Sequence, residues 1–429
     1  MVGDTRSAEQ LPFRPDTATG LSGAGQYWIF FLLFSANVLN MFDRQLVNIL
    51  AESIKTDLKL SDAQLGLLTG AAFTLCYVVS SIPLGYVADR VNRLRLLGGA
   101  VFIWSAFTTL CGFASNFLQL CIMRMGVGIG EAAALPSSTA IVRENFPESR
   151  RTSILSLLLV GGPVGSFLGL LLGGYIGERW GWRSAFFVAG IPGAVLALVL
   201  LLNSRRMIAG QVRGHLSLAG SVRSFVSARY VWIISLVTSL ALLPSISNSW
   251  LPVFFIRVHE MTITQVGAIS AVAVGIGGTL GTLCSGVIAD AARRWTRLSE
   301  LVVMLVSLLA SSAFLIAVVT VENRALALGA MIAHNLFAYA FLGPAVVLMQ
   351  NEASSQTRSL AYATCSGIST SIAYGLGVYA VGAISDRSRP EFGNYSIGFA
   401  LAVGALFAVS LGLLSLWNIW RTGDRSGRA

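Results

Sequence analysis

Apolar runs long enough to cross a bilayer recur along the whole chain, separated by short polar connections. Twelve can be drawn, at about 27–50, 64–87, 95–114, 116–142, 153–177, 184–203, 230–256, 265–289, 299–320, 325–349, 359–384 and 396–420. Each meets the length of roughly 20 residues that a helix needs to span the hydrocarbon core. The pattern predicts an all-α polytopic membrane protein with twelve transmembrane helices. The polar connections divide it into an N-terminal tail (1–26), a six-helix bundle (27–203), a linker (204–229), a second six-helix bundle (230–420) and a C-terminal tail (421–429). The first 26 residues show no cleavable-signal pattern, so helix 1 is expected to act as the uncleaved targeting element.

Composition agrees with a membrane solvent. Of 429 residues, 55% are hydrophobic and 12% charged, against about 25% charged in a soluble domain. The net charge of +10 does not point to nucleic acid, because it is distributed by topology. With both termini on one side, that side holds 20 Lys and Arg against 10 Asp and Glu, and the other side holds 8 of each. This positive-inside asymmetry predicts cytoplasmic termini and a cytoplasmic linker. The linker's Arg205, Arg206, Arg213, Arg223 and Arg229 read as a topology anchor at an anionic leaflet. The five cysteines fall inside predicted spans without metal-ligand spacing and read as packing residues, so no metal and no cofactor is expected.

The chain repeats itself. At an offset of 208 residues, Pro136 matches Pro344, Glu144 matches Glu352, Gly169 matches Gly377, Gly174 matches Gly382, and Glu178 matches Asp386. Earlier in each half the offset is 201, pairing Gly66 with Gly267, Gly85 with Gly286, Asp89 with Asp290, and Arg93 with Arg294. Two six-helix units in parallel orientation predict twin bundles with substrate bound between them. Between helices 2 and 3 lies Gly85-Tyr-Val-Ala-Asp89-Arg90-Val-Asn92-Arg93, with a degenerate copy ending at Asp290 and Arg294. Gly85 permits close helix contact, and Asp89 can cap a neighbouring helix and pair with a basic residue. Gly85, Asp89, Arg90, Asn92, Arg93 and Asp290 are therefore expected to form a latch that closes the cytoplasmic side.

Four ionisable residues sit inside the apolar runs: Asp43, Arg44, Arg124 and Glu131. Each would cost roughly 2.5–3.5 kcal/mol at the bilayer centre if it faced lipid. They form two acid–base sets, and a shared polar interior removes that cost. On helix 1, Asn37, Asn40, Asp43 and Arg44 fall within a sector of roughly 120°. On helix 4, Arg124 and Glu131 are seven residues apart and share a face. Desolvation favours a protonated carboxyl, and a neighbouring guanidinium favours the ionised one. Alternating access changes both, which is what proton coupling requires. Asp43 and Glu131 are the expected proton carriers. Arg44 and Arg124 act as movable counter-charges or bind an anionic substrate group directly; a static ion pair that fixes helix packing is the structural alternative. The second half has no matching carboxylate. Its candidate cavity residues, His334, Asn335 and Tyr374, are mild, which suits a substrate with a charged head and an apolar body.

Three stretches, Leu39-Asn-Met-Phe-Asp43-Arg44, Asp89-Arg-Val-Asn92-Arg93 and Gly126-Val-Gly-Ile-Gly130-Glu131-Ala, resemble the Spinster branch of the major facilitator superfamily. Asn92, where most facilitators have Gly, is the most discriminating position. The resemblance is good over about residues 30–200 and extends to fold beyond. It implies a proton-coupled secondary transporter of an amphiphilic, sphingolipid- or lysophospholipid-like substrate. It also implies protonation at Asp43 and Glu131, with Arg44 and Arg124 in the same cavity. The organic-anion:proton symporters share the Asn-x-x-Asp-Arg and Arg…Glu-Ala patterns, so small carboxylates such as sugar acids are the second substrate class. An Arg-rich chain with two lysines (Lys55 and Lys59) and short loops points to a bacterial inner-membrane protein, with monomer as the expected state and membrane lipids as its surroundings. No nucleotide-binding phosphate loop, H-E-x-x-H or G-x-S-x-G occurs, which argues against a pump or a hydrolase and leaves a non-transporting receptor as a third reading.

Overall fold

The computed structural model describes residues 23–88, 91–204, 229–294, 296, 299–351 and 358–426. Among these, every regular element is a helix. Most of the N-terminal tail, Asp89, Arg90, nearly all of the linker and the last three residues lie outside the described residues. Ten stretches are helical, long and apolar enough to cross a membrane, and one of them, Thr364–Leu414, is 51 residues long and holds two crossings. With the two halves of Thr364–Leu414 counted separately, eleven of the twelve expected crossings meet that test among the described residues, and the 27-residue helix Gly23–Ile49 stands at the place of the first.

In chain order they are α1 (Gly23–Ile49), α2 (62–88), α3 (Arg93–Cys111), α4 (Phe117–Asn145), α5 (Glu148–Trp180), α6 (Trp182–Asn203), α7 (229–249), α8 (Ile263–Ala292), α9 (Ser299–Thr320), α10 (Arg324–Met349), α11 (358–392) and α12 (Ser396–Ser426). Short helices Ala51–Leu58 and Leu251–His259 follow α1 and α7. The repeat is visible in how helices begin. Capping boxes Ser61/Gln64 and Thr262/Gln265 open α2 and α8, and the Asn116 and Asn323 carboxamides cap α4 and α10. Each satisfies backbone amides that have no partner within their own helix.

Small residues set the packing. In the first bundle α5 lies on α1, where a β-carbon at Gly169 would stand 2.7 Å from the Phe42 carbonyl oxygen. Likewise α4 lies on α2, with Gly128 meeting the Phe73 carbonyl at 2.6 Å. Such close approach replaces the hydrophobic driving force that lipid cannot supply between helices. The ladder loosens into π-turns at Leu67–Ala71, Ala273–Gly277 and Ser371–Gly377. It tightens into a 3-10 turn over Leu243–Ser249, behind Pro244, because proline removes a backbone donor.

The cores show how the bundles meet. One core runs through both, joining Leu46, Leu50, Ile54 and Leu65 of the first to Trp250, Phe254, Val378 and Ile397 of the second. These residues gather at the face opposite the chain termini, called here the distal face. Towards the terminal face the cores separate. One lies around Leu33, Leu97, Trp104 and Leu200; two smaller ones lie around Val231 and Met349 and around Met304 and Phe341. Gly85 and Gly286, near the terminal ends of α2 and α8, have no neighbouring atoms against a built β-carbon. Among the described residues, the bundles therefore lean together at the distal face and part at the terminal face.

Candidate functional site

Helix α1 carries the polar sector into the first bundle. Asn37 donates its amide to the Leu158 carbonyl of α5 at 2.7 Å. Asp43 accepts from the Thr108 hydroxyl of α3 at 3.1 Å. The Arg44 Nε donates to Oε2 of Glu131 on α4 at 2.7 Å. Asp43, Asn40, Arg124 and Glu131 are all buried, with 1–4% relative exposure, whereas the Arg44 side chain keeps 27%. Arg44 is thus the member of the set that reaches outward, with Glu131 sealed behind it.

Two aromatic rings on α2 complete the site. Phe73 and Tyr77, one turn apart, stack at 5.7 Å between centroids. The Arg44 guanidinium lies 4.8 Å from the Phe73 centroid and 4.7 Å from that of Tyr77. Arg124 lies 5.0 Å from Phe73. A desolvated cation over an aromatic face gains about 2 kcal/mol, so the rings replace part of the hydration both guanidiniums lose. Arg124 is also within electrostatic reach of both carboxylates. No sequence pattern points to these rings, since aromatic residues in an apolar span look the same whether they face lipid or a guanidinium.

The hydrogen bonding of this site is incomplete. Asp43 Oδ1, Glu131 Oε1, Asn40 Nδ2, and both Nε and Nη1 of Arg124 are buried without a hydrogen-bond partner. Buried polar atoms are nearly always paired, and each unpaired one calls for an explanation. Five in one cluster, of both polarities, leave acceptor sites for a proton and donor sites for an anion.

The second bundle contributes neutral groups. His334 is fully buried between the Ser247 hydroxyl (2.8 Å) and the Ser311 carbonyl (2.9 Å). Asn335 donates to Met331 one turn earlier at 3.0 Å, and its Oδ1 is unpaired. Tyr374, on the π-turn of α11, bonds the Ser245 hydroxyl at 3.2 Å and lies within electrostatic range of Arg44. His334 and Asn335 are thus tied into their own bundle, and Tyr374 is the one of the three within electrostatic range of Arg44.

Of the expected latch, Asp89 and Arg90 fall outside the described residues. Asn92 caps α3 through Leu94 and Arg95 at 3.0 and 3.1 Å, and its amide donates to the Ser204 carbonyl at 3.0 Å. Arg93 pairs with Glu144 at the end of α4. Asp290 pairs with Arg293 at 3.3 Å. These contacts stay within one bundle, as the parted terminal face requires. The distal face is held instead by a network that sequence reasoning missed. Arg257 bonds Glu52 at 2.7 Å and Asp62 at 2.8 Å across the bundles, and Lys55 also pairs with Asp62. Separations of 195 and 205 residues hide such partners from any local pattern.

Twin bundles closed at one face, open at the other, and holding a buried charge cluster between helices define a membrane carrier. Comparison with known proteins agrees. The family model described as Major Facilitator Superfamily matches residues 33–374, and the chain belongs to that superfamily. An "MFS-type efflux pump" of Mycolicibacterium smegmatis is 30% identical over 90% of both chains. The "Sphingosine-1-phosphate transporter SPNS2" of Danio rerio is 26% identical over 69% of this chain and 63% of that one. The "Gentisate transporter" of Corynebacterium glutamicum is 27% identical over 67% and 69%. Among solved structures, a bacterial homologue of the human lysosomal transporter Spinster shares the fold, with TM-score 0.77 and 24% identity over 92% of this chain and 95% of that one.

Proposed function

We propose that the protein is a proton-coupled secondary transporter, working by alternating access, that moves an amphiphilic, lipid-like substrate with an anionic head. The observation that carries this reading is the Arg44–Glu131 pair, in which a sealed carboxylate neutralises a guanidinium that reaches outward. A proton arriving at Glu131 forms the neutral acid and releases Arg44 from its counter-ion. Arg44 is then free to pair with the substrate's anionic group, as its planar fork suits. When Glu131 loses the proton it recaptures Arg44 and the substrate leaves. Asp43, held by Thr108 and facing Arg124, is the second proton site. The greasy body of the substrate lies against the second bundle, whose groups near Arg44 are neutral. With the termini cytoplasmic, as the charge asymmetry supports, the parted face opens inward in a bacterial inner membrane. The sphingosine-1-phosphate transporter among the relatives is in line with this substrate class.

A second reading is favoured by Arg124, whose Nε and Nη1 are buried and unpaired. A compact carboxylate could reach them, making the substrate a small organic acid; gentisate, named for one relative, is of that kind. Proteoliposomes with an imposed pH gradient test both. Lysophospholipid flux that is lost in Glu131→Gln, with no competition by gentisate in detergent binding, supports the first. Gentisate flux with no lysophospholipid competition replaces it by the second. No flux of either substrate, with binding retained, would make the protein a receptor.

A further inference from the structure

Two carboxylates at the distal face cross from one bundle to the other in the same way. Glu178, in the last turn of α5, accepts the Thr264 amide at the start of α8 at 2.7 Å. Asp386, on α11, accepts the Asp62 and Ala63 amides at the start of α2 at 2.9 and 2.8 Å. Glu178 and Asp386 are the pair related by the 208-residue repeat, and the helices they cap open with the capping boxes Ser61/Gln64 and Thr262/Gln265, related by the 201-residue repeat. The contact is thus duplicated about the axis between the bundles.

The division of amides explains what the contact does. The hydroxyls of Ser61 and Thr262 take the third amide of each helix, that of Gln64 and Gln265. The amides before it have no partner within the helix and carry the positive end of its dipole. A carboxylate from the opposite bundle takes the first and second of them in α2 and the second in α8, a contact that needs the distal face shut. Neighbouring glycines hold the helices at the necessary distance: Gly174 meets the Ile263 carbonyl at 2.8 Å, and Gly382 meets that of Asp62. The two contacts differ in bracing. Asp62 is buried and further bound by Arg257 and by the Ser385 hydroxyl at 2.7 Å. Glu178 is exposed and Thr264 half-buried.

We propose that Glu178 and Asp386 are paired latches that hold the distal face shut by capping helices of the opposite bundle, and so set the balance between the two access states. They act together, because one opening motion breaks both. The proposal rests on the alternating-access part of the function above and not on its substrate or its proton.

Hydrogen–deuterium exchange on the full chain in lipid nanodiscs tests it without any transport assay. Glu178→Gln is expected to raise exchange at least threefold at residues 263–266, and also at 62–65, across the bundles from the altered side chain. Asp386→Asn is expected to raise both with the larger effect, and Asp386→Glu, which keeps the carboxylate, to stay near the native rates. Faster exchange only at the helix whose cap was altered would mean a local structural role and overturn the proposal, as would unchanged exchange at both. Should Asp386→Asn not fold, the exposed Glu178→Gln gives the same reading alone. Absence of transport by the unaltered chain, with the expected exchange changes in the variants, would count against the function proposed above and leave the latches untouched.

Discussion

Gly174 on α5 and Gly267 on α8 pack reciprocally across the two bundles: a β-carbon on either would stand 3.3 Å from the Cα of the other. The same built atoms would lie 2.8 Å from the Ile263 carbonyl and 2.5 Å from the Leu170 carbonyl. Backbone cannot yield as a side chain can, so a larger residue must push the helices apart. Gly174→Val is expected to disfavour the closed distal face by about 1–3 kcal/mol, the usual cost of overpacking. The population with that face open then rises at least fivefold. Crosslinking of a cysteine pair placed across α5 and α8 should slow accordingly; native crosslinking rates in Gly174→Val would show that the contact does not govern closure.

The Phe73 ring serves both guanidiniums of the charged site. Phe73→Leu keeps the site apolar but removes the ring quadrupole, which is worth about 2 kcal/mol to a desolvated cation. Arg44 and Arg124 lose part of what offsets their dehydration, so transport is expected to fall roughly tenfold while the protein still folds. Phe73→Tyr, which retains a ring, should transport much better than the leucine variant. Equal activity of the two would mean that Phe73 only fills space.

Much of this site was legible in sequence, and the limits have a physical cause. The sector from Asn37 to Arg44 and the seven-residue step from Arg124 to Glu131 follow from helix periodicity, and the structure joins the two sets through Arg44 and Glu131. The repeat pairs Gly66/Gly267 and Gly174/Gly382 also proved meaningful, since all four glycines meet backbone of the opposite bundle. What periodicity does not carry is identity across helices. Thr108 looked like any hydroxyl in a span, yet it is the hydrogen-bond donor to Asp43. Arg257 has no local pattern to mark it, yet it binds two carboxylates of the other bundle. Such partners come from tertiary packing, and one sequence records no trace of it.

His259 lies beyond the apolar part of α7, stacked on Phe255 with centroids 5.3 Å apart. Burial holds its imidazole below the ordinary value of 6.5, and Arg324 acts in the same direction. A histidine with a depressed folded-state value binds protons less readily than in the unfolded chain. It therefore costs nothing above pH 6.5 and destabilises the fold progressively as pH falls below that value. Thermal unfolding of the native protein should drop between pH 7.5 and pH 5.5, with about 1 °C attributable to this residue. His259→Phe, which keeps the stacking, is expected to lose that share of the drop; an identical pH profile in the variant would assign it elsewhere.

The pairing of Arg44 with Glu131 makes a stronger claim, because it separates function from stability. Removing one partner of a fully buried ion pair costs about 3–5 kcal/mol, since the remaining charge is left uncompensated. Arg44 keeps 27% of its side-chain exposure, so solvent screens part of that loss and about 2 kcal/mol is the better expectation. Glu131→Ala and Arg44→Ala should each lower the unfolding temperature by several degrees. The double variant should recover part of the loss, because neither charge is then stranded. Transport behaves differently: all three proteins should be inactive in a pH gradient, since the double variant restores neutrality but neither the proton site nor the anion site. Additive destabilisation would show that the two side chains do not interact. A double variant that is both stable and active would reduce the pair to a packing device.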